Sequence, residues 1–204
     1  MCTTDINGDI YLVGRAAFSG NYLTTPGCHQ PVFGGGVDIY IAKFNSSGYR
    51  IWATYYGGTL VDEIRSCTTD INGNLFFSGY TESTNNISTL NSHQPINNGA
   101  NDAFLVKFDS TGQRIWGTFY GDVNDDYGNS CFSDSLGNIY LAGSTNSWVL
   151  ISTPLTFQPI FGGTFDGYLV KFNSNGVRQW GTYCGDHQVM QFPMESLQTM
   201  ALFM

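Results

Sequence analysis

Charge is scarce in this chain of 204 residues: Asp, Glu, Lys and Arg make up 12%, with 8 Lys and Arg against 16 Asp and Glu. A net charge of −8 leaves no basic face for nucleic acid, and an anionic membrane surface would repel such a chain. No stretch approaches the roughly 18 apolar residues of a membrane-crossing helix, so no membrane insertion is expected. Residues Met1–Tyr11 lack the basic and then apolar regions of a signal peptide. The five cysteines are odd in number and contain no Cys-x-x-Cys pair, which argues against a complete disulfide framework or a zinc site. Phosphate-binding glycine loops and Ser/His/Asp sets are also missing, and no carboxylate pair stands out as acid and base.

What is present is packing material and turns. The chain is 42% hydrophobic and 15% aromatic, and its 25 glycines far outnumber its 6 prolines, as short strands joined by tight turns require. These residues recur. Ile51-Trp52-Ala53-Thr54-Tyr55-Tyr56-Gly57 returns 64 residues later as Ile115-Trp116-Gly117-Thr118-Phe119-Tyr120-Gly121. After another 64 it returns as Gln179-Trp180-Gly181-Thr182-Tyr183-Cys184-Gly185. The same step relates Lys43, Lys107 and Lys171; Asp38, Asp102 and Asp166; Arg50, Arg114 and Arg178; and Gln30, Gln94 and Gln158. A second landmark, Asp5-Ile6-Asn7-Gly8-Asp9-Ile10-Tyr11, reappears at Asp70–Phe76 and Asp134–Tyr140. So many columns in one register define a repeat.

Each unit reads as four strands. In the second, these are Arg65–Thr69, Asn74–Tyr80, Ala103–Asp109 and Arg114–Tyr120, with an Asp-x-x-Gly turn at 70–73 and Ser110-Thr111-Gly112 at another. Four antiparallel strands per repeat make the blade of a β-propeller, so the fold class is all-β: a partial propeller of about three four-stranded blades from a larger ring. The units are expected at about 1–61, 62–125 and 126–186. They exceed the roughly 40–50 residues of common blades, and the surplus lies at 15–37, 81–101 and 145–165, between second and third strands. These loops should share one rim with the acidic segments 57–63 and 121–128, where binding is expected.

The Asp-x-x-Gly-Asn-x-Tyr turn and strand, the Gly-Gly-x-x-Asp-x-x-x-x-Lys-Phe stretches (34–44; 162–172) and the closing Trp-x-Thr-Tyr-x-Gly together resemble the SBBP repeat. That family forms seven-bladed β-propellers in bacterial secreted and surface proteins, and the resemblance covers about 2–186. It implies a non-catalytic module, binding or scaffolding a protein or polysaccharide through the long-loop rim, extracellular or on the cell surface. It carries over no catalytic residues and no cofactor. A structural spacer or gene fragment is the alternative, and a propeller glycosidase or lyase a weaker one. About three units do not close such a ring, so further blades of the same protein are expected, and a chain alone should associate through its open faces or aggregate.

Residues 187–204 break the pattern and hold Met190, Met194, Met200 and Met204. Read one nucleotide earlier, the codons of Thr199–Met204 permit the Gly-x-Ile-Tyr expected there, so the tail reads as an out-of-frame continuation of the next blade. Among candidate sites, Trp52, Trp116 and Trp180 could form a sugar platform, but their fixed place on the fourth strand favours packing between blades. Cys2, Cys67 and Cys131 share one column and read as buried free thiols. His29 and His93 correspond to Phe157, and a position that takes Phe is no catalytic base. The Asp38 and Lys43 columns read as turn caps and local ion pairs. The chemically suggestive feature is Asp122-x-Asn124-x-Asp126-x-Gly128, which resembles the start of a calcium loop but lacks the distal Glu. Calcium at Asp122, Asn124 and Asp126 stands against ordinary solvated turn acids.

Overall fold

The computed structural model describes residues 1–20 and 23–185, and among them only strands and turns occur. The first sheet comprises β1 (Cys2–Thr4), β2 (Ile10–Ala16), β3 (Asp38–Phe44) and β4 (Arg50–Tyr56). The second comprises β5 (Asp62–Thr69), β6 (Leu75–Thr81), β7 (Asp102–Phe108) and β8 (Arg114–Tyr120). The third comprises β9 (Asp126–Ser133), β10 (Ile139–Thr145), β11 (Asp166–Phe172) and β12 (Arg178–Cys184). Each sheet is four-stranded and antiparallel, with strands in chain order. These are the blades the repeat implied. The tail from 187 onward, with its frame reading, lies outside the described residues.

Local chemistry explains the hairpins. Asp70 Oδ1 accepts the backbone N–H groups of Asn72 and Asn74, both at 2.9 Å, while Gly73 supplies the positive φ of 74° that closes the turn. Asp5 and Asp134 do the same in the flanking blades. Strand β6 is buried on both faces, Phe76 facing one core and Phe77 the other. Burying each such ring contributes about 2–3 kcal/mol.

One strand differs from expectation. The first strand of the second blade starts at Asp62, three residues before Arg65, because the Asp62 N–H donates to Val37 O of the preceding blade at 2.7 Å. Asp126 is likewise the first residue of β9, its N–H held by Asn101 O at 2.7 Å.

Successive blades meet through a recurrent joint. Thr69 Oγ1 donates to Thr4 O and Ser133 Oγ to Thr69 O, both at 2.8 Å, so β1, β5 and β9 lie side by side along the central axis. Farther out, Trp52 Nε1 donates to Ser110 O (3.0 Å) and Trp116 Nε1 to Ser174 O (3.2 Å). Their indoles lie on the turn glycines Gly112 and Gly176 of the next blade. The hydroxyls of Tyr56 and Tyr120 donate to Ile87 O and Ile151 O of the next blade. His29 sits between Tyr56 and Phe108, with centroids 6.0 and 5.2 Å away; His93 sits between Tyr120 and Phe172 at 5.9 and 5.6 Å. The tryptophans and histidines therefore build the joints between blades.

Candidate functional site

The long loops do not stand free on a rim. Following the second strand of its blade (β2, β6 or β10), each runs beside the outer strand of the same blade. Arg50 Nη1 holds Leu23 O at 2.8 Å, Thr25 N donates to Ala53 O at 3.0 Å, and Tyr55 N donates to Gln30 O at 3.0 Å. Thr89 and Gln94 repeat this on β8, and Thr153 and Gln158 on β12. The middle of each loop is thus a strap that satisfies an edge strand which would otherwise invite pairing. Only the loop ends remain at the rim. A groove of about 630 Å³ between the second strap and the next blade's turn is lined by Leu90, His93, Trp116 and Arg178. Its residues are those of the joint itself.

The aspartate columns are clamps. Asp38 Oδ2 accepts from Gln30 Nε2 (3.0 Å) and Gly34 N (2.8 Å), and Gln30 Oε1 in turn accepts Gly57 N at 3.1 Å. The next blade contributes a second acid at the same point. Asp62 Oδ2 accepts Gly58 N at 2.7 Å and Ser83 Oγ at 3.1 Å, and Thr81 Oγ1 donates to its other oxygen. Both acids are fully buried. Burial raises Asp38 and pushes Asp62 up to about 6. In the lysine column, Lys43 Nζ meets Asp5 at 3.1 Å and Asp9 at 3.0 Å, whereas Lys107 lies 3.9 Å from Asp70. Burial lowers Lys107, while for Lys43 the bonds to Tyr11, Asp9 and Asp5 outweigh burial and raise it.

Asp122, Asn124 and Asp126 do occupy one linker, but the acids are buried instead of solvated: Asp122 is 7% and Asp126 0% exposed. Asp126 Oδ2 accepts Asp122 N and Ser147 Oγ, each at 2.8 Å, and Asn124 Nδ2 donates to Asn146 O at 3.1 Å. Donors thus occupy Asp126 Oδ2, while its buried Oδ1 has no hydrogen-bond partner. Among the described residues, no three His, Cys, Asp or Glu side chains gather as a metal set. The cysteine column is buried only where a preceding blade covers it: Cys131 is buried, Cys67 partly so and Cys2 exposed, and all are free. Burial pushes the Cys131 thiol to about 12 and Cys67 to about 11, leaving both unreactive.

A different set of residues meets at the mouth of the axis, where the inner strands begin. The Arg65 guanidinium lies over the rings of Tyr80 and Tyr127, 5.0 and 5.6 Å from their centroids. The two rings meet edge to face at 5.0 Å. Arg65 also donates to Asn129 Oδ1 at 3.2 Å, and Asn129 Nδ2 to Ser144 Oγ at 3.3 Å. Beside them Arg15 pairs with Glu63 at 3.2 Å. Arg15 and Arg65 are exposed and the other members half-buried.

These residues do not repeat. Arg15, Tyr80 and Ser144 share one register position against the third strand. Glu63 and Tyr127 share another, and Arg65 corresponds to Asn129. Recurrence does not mark them; their signal in the sequence is a change of chemistry from blade to blade in columns of the first and second strands.

Comparison with known proteins agrees with this architecture. Residues 51–87 match the SBBP family, described as a beta-propeller repeat. Over 174 residues, 70% of the chain, the sequence is 23% identical to an uncharacterized WD repeat-containing protein of Acanthamoeba polyphaga mimivirus. The chain spans 12% of that relative's length. The chain therefore carries an SBBP β-propeller repeat at 51–87, within three four-stranded blades built on one 64-residue step.

Proposed function

We propose that this chain is a non-catalytic binding module that takes a polypeptide partner at the mouth of its axis. The observation that carries the reading is where the repeat breaks: blade-to-blade changes of chemistry gather at Arg15, Glu63, Arg65, Tyr80, Tyr127 and Asn129. Arginine and tyrosine rings with adaptable amides are the chemistry of protein-binding hot spots, giving large contact area with few rotors to freeze. The rings are already stacked and the guanidinium already placed, so little ordering cost remains on binding.

Catalysis has little support. The buried acids recur at both joints and aim their oxygens at backbone N–H groups and hydroxyls, which suits a clamp and not a solvent-facing acid and base. A secreted or cell-surface setting belongs to the same proposal and rests on the SBBP resemblance.

Selection from a displayed peptide library, with a glycan array in parallel, tests the reading. Selected peptides should bind the chain and lose about 100-fold in affinity on Tyr127→Ala or Arg65→Ala, as removal of a hot-spot side chain does, with the melting temperature held. Glycan binding lost through the same variants would make the ligand a polysaccharide. Silence in both arms, or binding indifferent to both variants, would sink the proposal.

A further inference from the structure

Each blade carries a lysine on its third strand and an Asp-capped turn before its second, and the three copies of this pairing differ. In the first, Lys43 Nζ lies 3.1 Å from Asp5 and 3.0 Å from Asp9. Against burial, its bonds to Tyr11, Asp9 and Asp5 raise it, so it stays an ammonium between carboxylates, without a lone pair. In the third, Asn138 Nδ2 donates to Asp134 Oδ2 at 2.8 Å, but Tyr140 Oη donates to the same oxygen at 3.3 Å, and Lys171 is half-buried.

The second blade departs from both. Asn74 stands in the column of Asp9, and Phe76 in that of Tyr11 and Tyr140. Asn74 Nδ2 donates to Asp70 Oδ2 at 2.8 Å, and Lys107 Nζ approaches that oxygen at 3.9 Å, where Phe76 has no hydroxyl to compete for it. Lys107 is 8% and Asp70 6% exposed, and the Phe76 ring lies 5.2 Å from Nζ. Burial lowers Lys107, with the Asp70 charge opposing, and its Nζ donates to Ser174 O at 3.3 Å. Desolvation of this kind turns a lysine into a nucleophile. Lys43 and Asp9 show that a lysine in this column reaches the side chain of that turn position. A buried amine, a primary amide and a carboxylate bonded to the amide therefore meet at one turn.

We propose that Lys107 and Asn74 become joined by an isopeptide bond formed within the folded second blade, with Asp70 as the proton carrier. The Nζ lone pair attacks Asn74 Cγ, Asp70 Oδ2 takes a proton from Nζ and delivers it to Nδ2, and the Cγ–Nδ2 bond breaks to release ammonia. A primary amine and a primary amide give a secondary amide and ammonia, so no oxidant or further reactant is needed. Holding the groups together in one dry turn makes the step unimolecular. The bond ties β7 to the turn before β6 and closes the loop that contains the second strap, restricting the unfolded chain as a disulfide does.

The test is the intact mass of the full chain, unfolded in acid after purification. The chain should be lighter than its sequence by one ammonia. Chymotrypsin, cutting after Phe76, Phe77 and Tyr80, should release a branched peptide joining Asn74 to Lys107, and trypsin should no longer cut after Lys107. Lys107→Arg, Asn74→Asp and Asp70→Asn should each show the full mass of their sequences. Asp70→Asn keeps an oxygen to cap the turn, so its circular dichroism should match that of the unmodified chain while the crosslink is lost. An unmodified chain of full mass overturns the proposal. So does an ammonia loss that Lys107→Arg leaves in place or that yields no branched peptide, since a cyclic imide at Asn72-Gly73 loses the same mass.

Discussion

Asp102 of the second blade and Asp126 of the third face each other across Gly121: a Cβ on that glycine would lie 2.9 Å from Asp102 Oδ1 and 2.6 Å from Asp126 Oδ2. Both side chains are sealed from water. Burial, with the neighbouring Asp126 charge added, pushes Asp102 up to about 7; burial pushes Asp126 up to about 6. A carboxyl whose folded pKa exceeds its unfolded value near 4 stabilises the fold below that unfolded value. Its contribution fades as the pH rises through the folded pKa.

Asp102→Asn removes this titration together with some clamp bonds, so the variant is less stable at every pH. The gap between wild type and variant should be widest near pH 4 and narrow by about 2 kcal/mol toward pH 7. Melting curves across that range decide the matter; a gap that is constant or widens with pH would show that the pair does not hold its protons when folded.

The histidines of the joints act in the opposite sense. Burial, then Arg114 near His29 and Arg178 near His93, lowers both to about 4. Their neutral rings stabilise fully above the unfolded value near 6.5, and that stability is lost as the pH falls from there toward 4. Phe157 shows that the third blade accepts an apolar ring at the same position. The double variant His29→Phe, His93→Phe should therefore gain on wild type as the pH falls from 7 to 4. About 1 kcal/mol per histidine is expected, discounted for the solvent that reaches the rings. An advantage independent of pH would point to packing alone.

The repeat made the blades legible because backbone turns and core columns must recur wherever the same sheet is built. Trp52 and Asp38 were readable as joint and turn residues for that reason, and His29 as no catalytic base. The straps were not, since no period or propensity marks a segment whose backbone pairs with an edge strand. Burial of Asp62 and Asp126 was hidden too, because it depends on a Val37 or Asn101 carbonyl contributed by the neighbouring blade. The mouth residues Arg65, Tyr80 and Tyr127 come from two blades, and only the folded chain brings their rings together.

Gln94 ties a strap to a joint. Its Nε2 donates to Asp102 Oδ2 at 2.7 Å and its Oε1 accepts Gly121 N at 2.9 Å. Gln94→Ala leaves the Gly121 N–H without its acceptor and takes from Asp102 Oδ2 one of its two donors, the Asn98 N–H at 3.0 Å remaining, at a cost of about 1–3 kcal/mol. Gln94→Glu should be as harmful near neutral pH, since it adds a second acid beside Asp102, but should recover on acidification as Gln94→Ala does not. Urea unfolding at two pH values separates them.

The tryptophan column offers a comparison inside one molecule. Trp116 fills the gap between the second and third blades, covers Gly176 and donates to Ser174 O. Removing it opens a cavity that rigid sheets on both sides cannot collapse, so Trp116→Ala should cost about 3–5 kcal/mol. Trp180 has the same backbone setting on β12 but no further blade beside it among the described residues, and is half-buried. Measured dilute enough to keep chains apart, Trp180→Ala should cost about 1 kcal/mol, in line with its smaller buried area. If packing within each blade were the main role of these rings, the two substitutions would cost the same. Equal losses in denaturant unfolding would therefore remove the joint from the account of why this column is tryptophan.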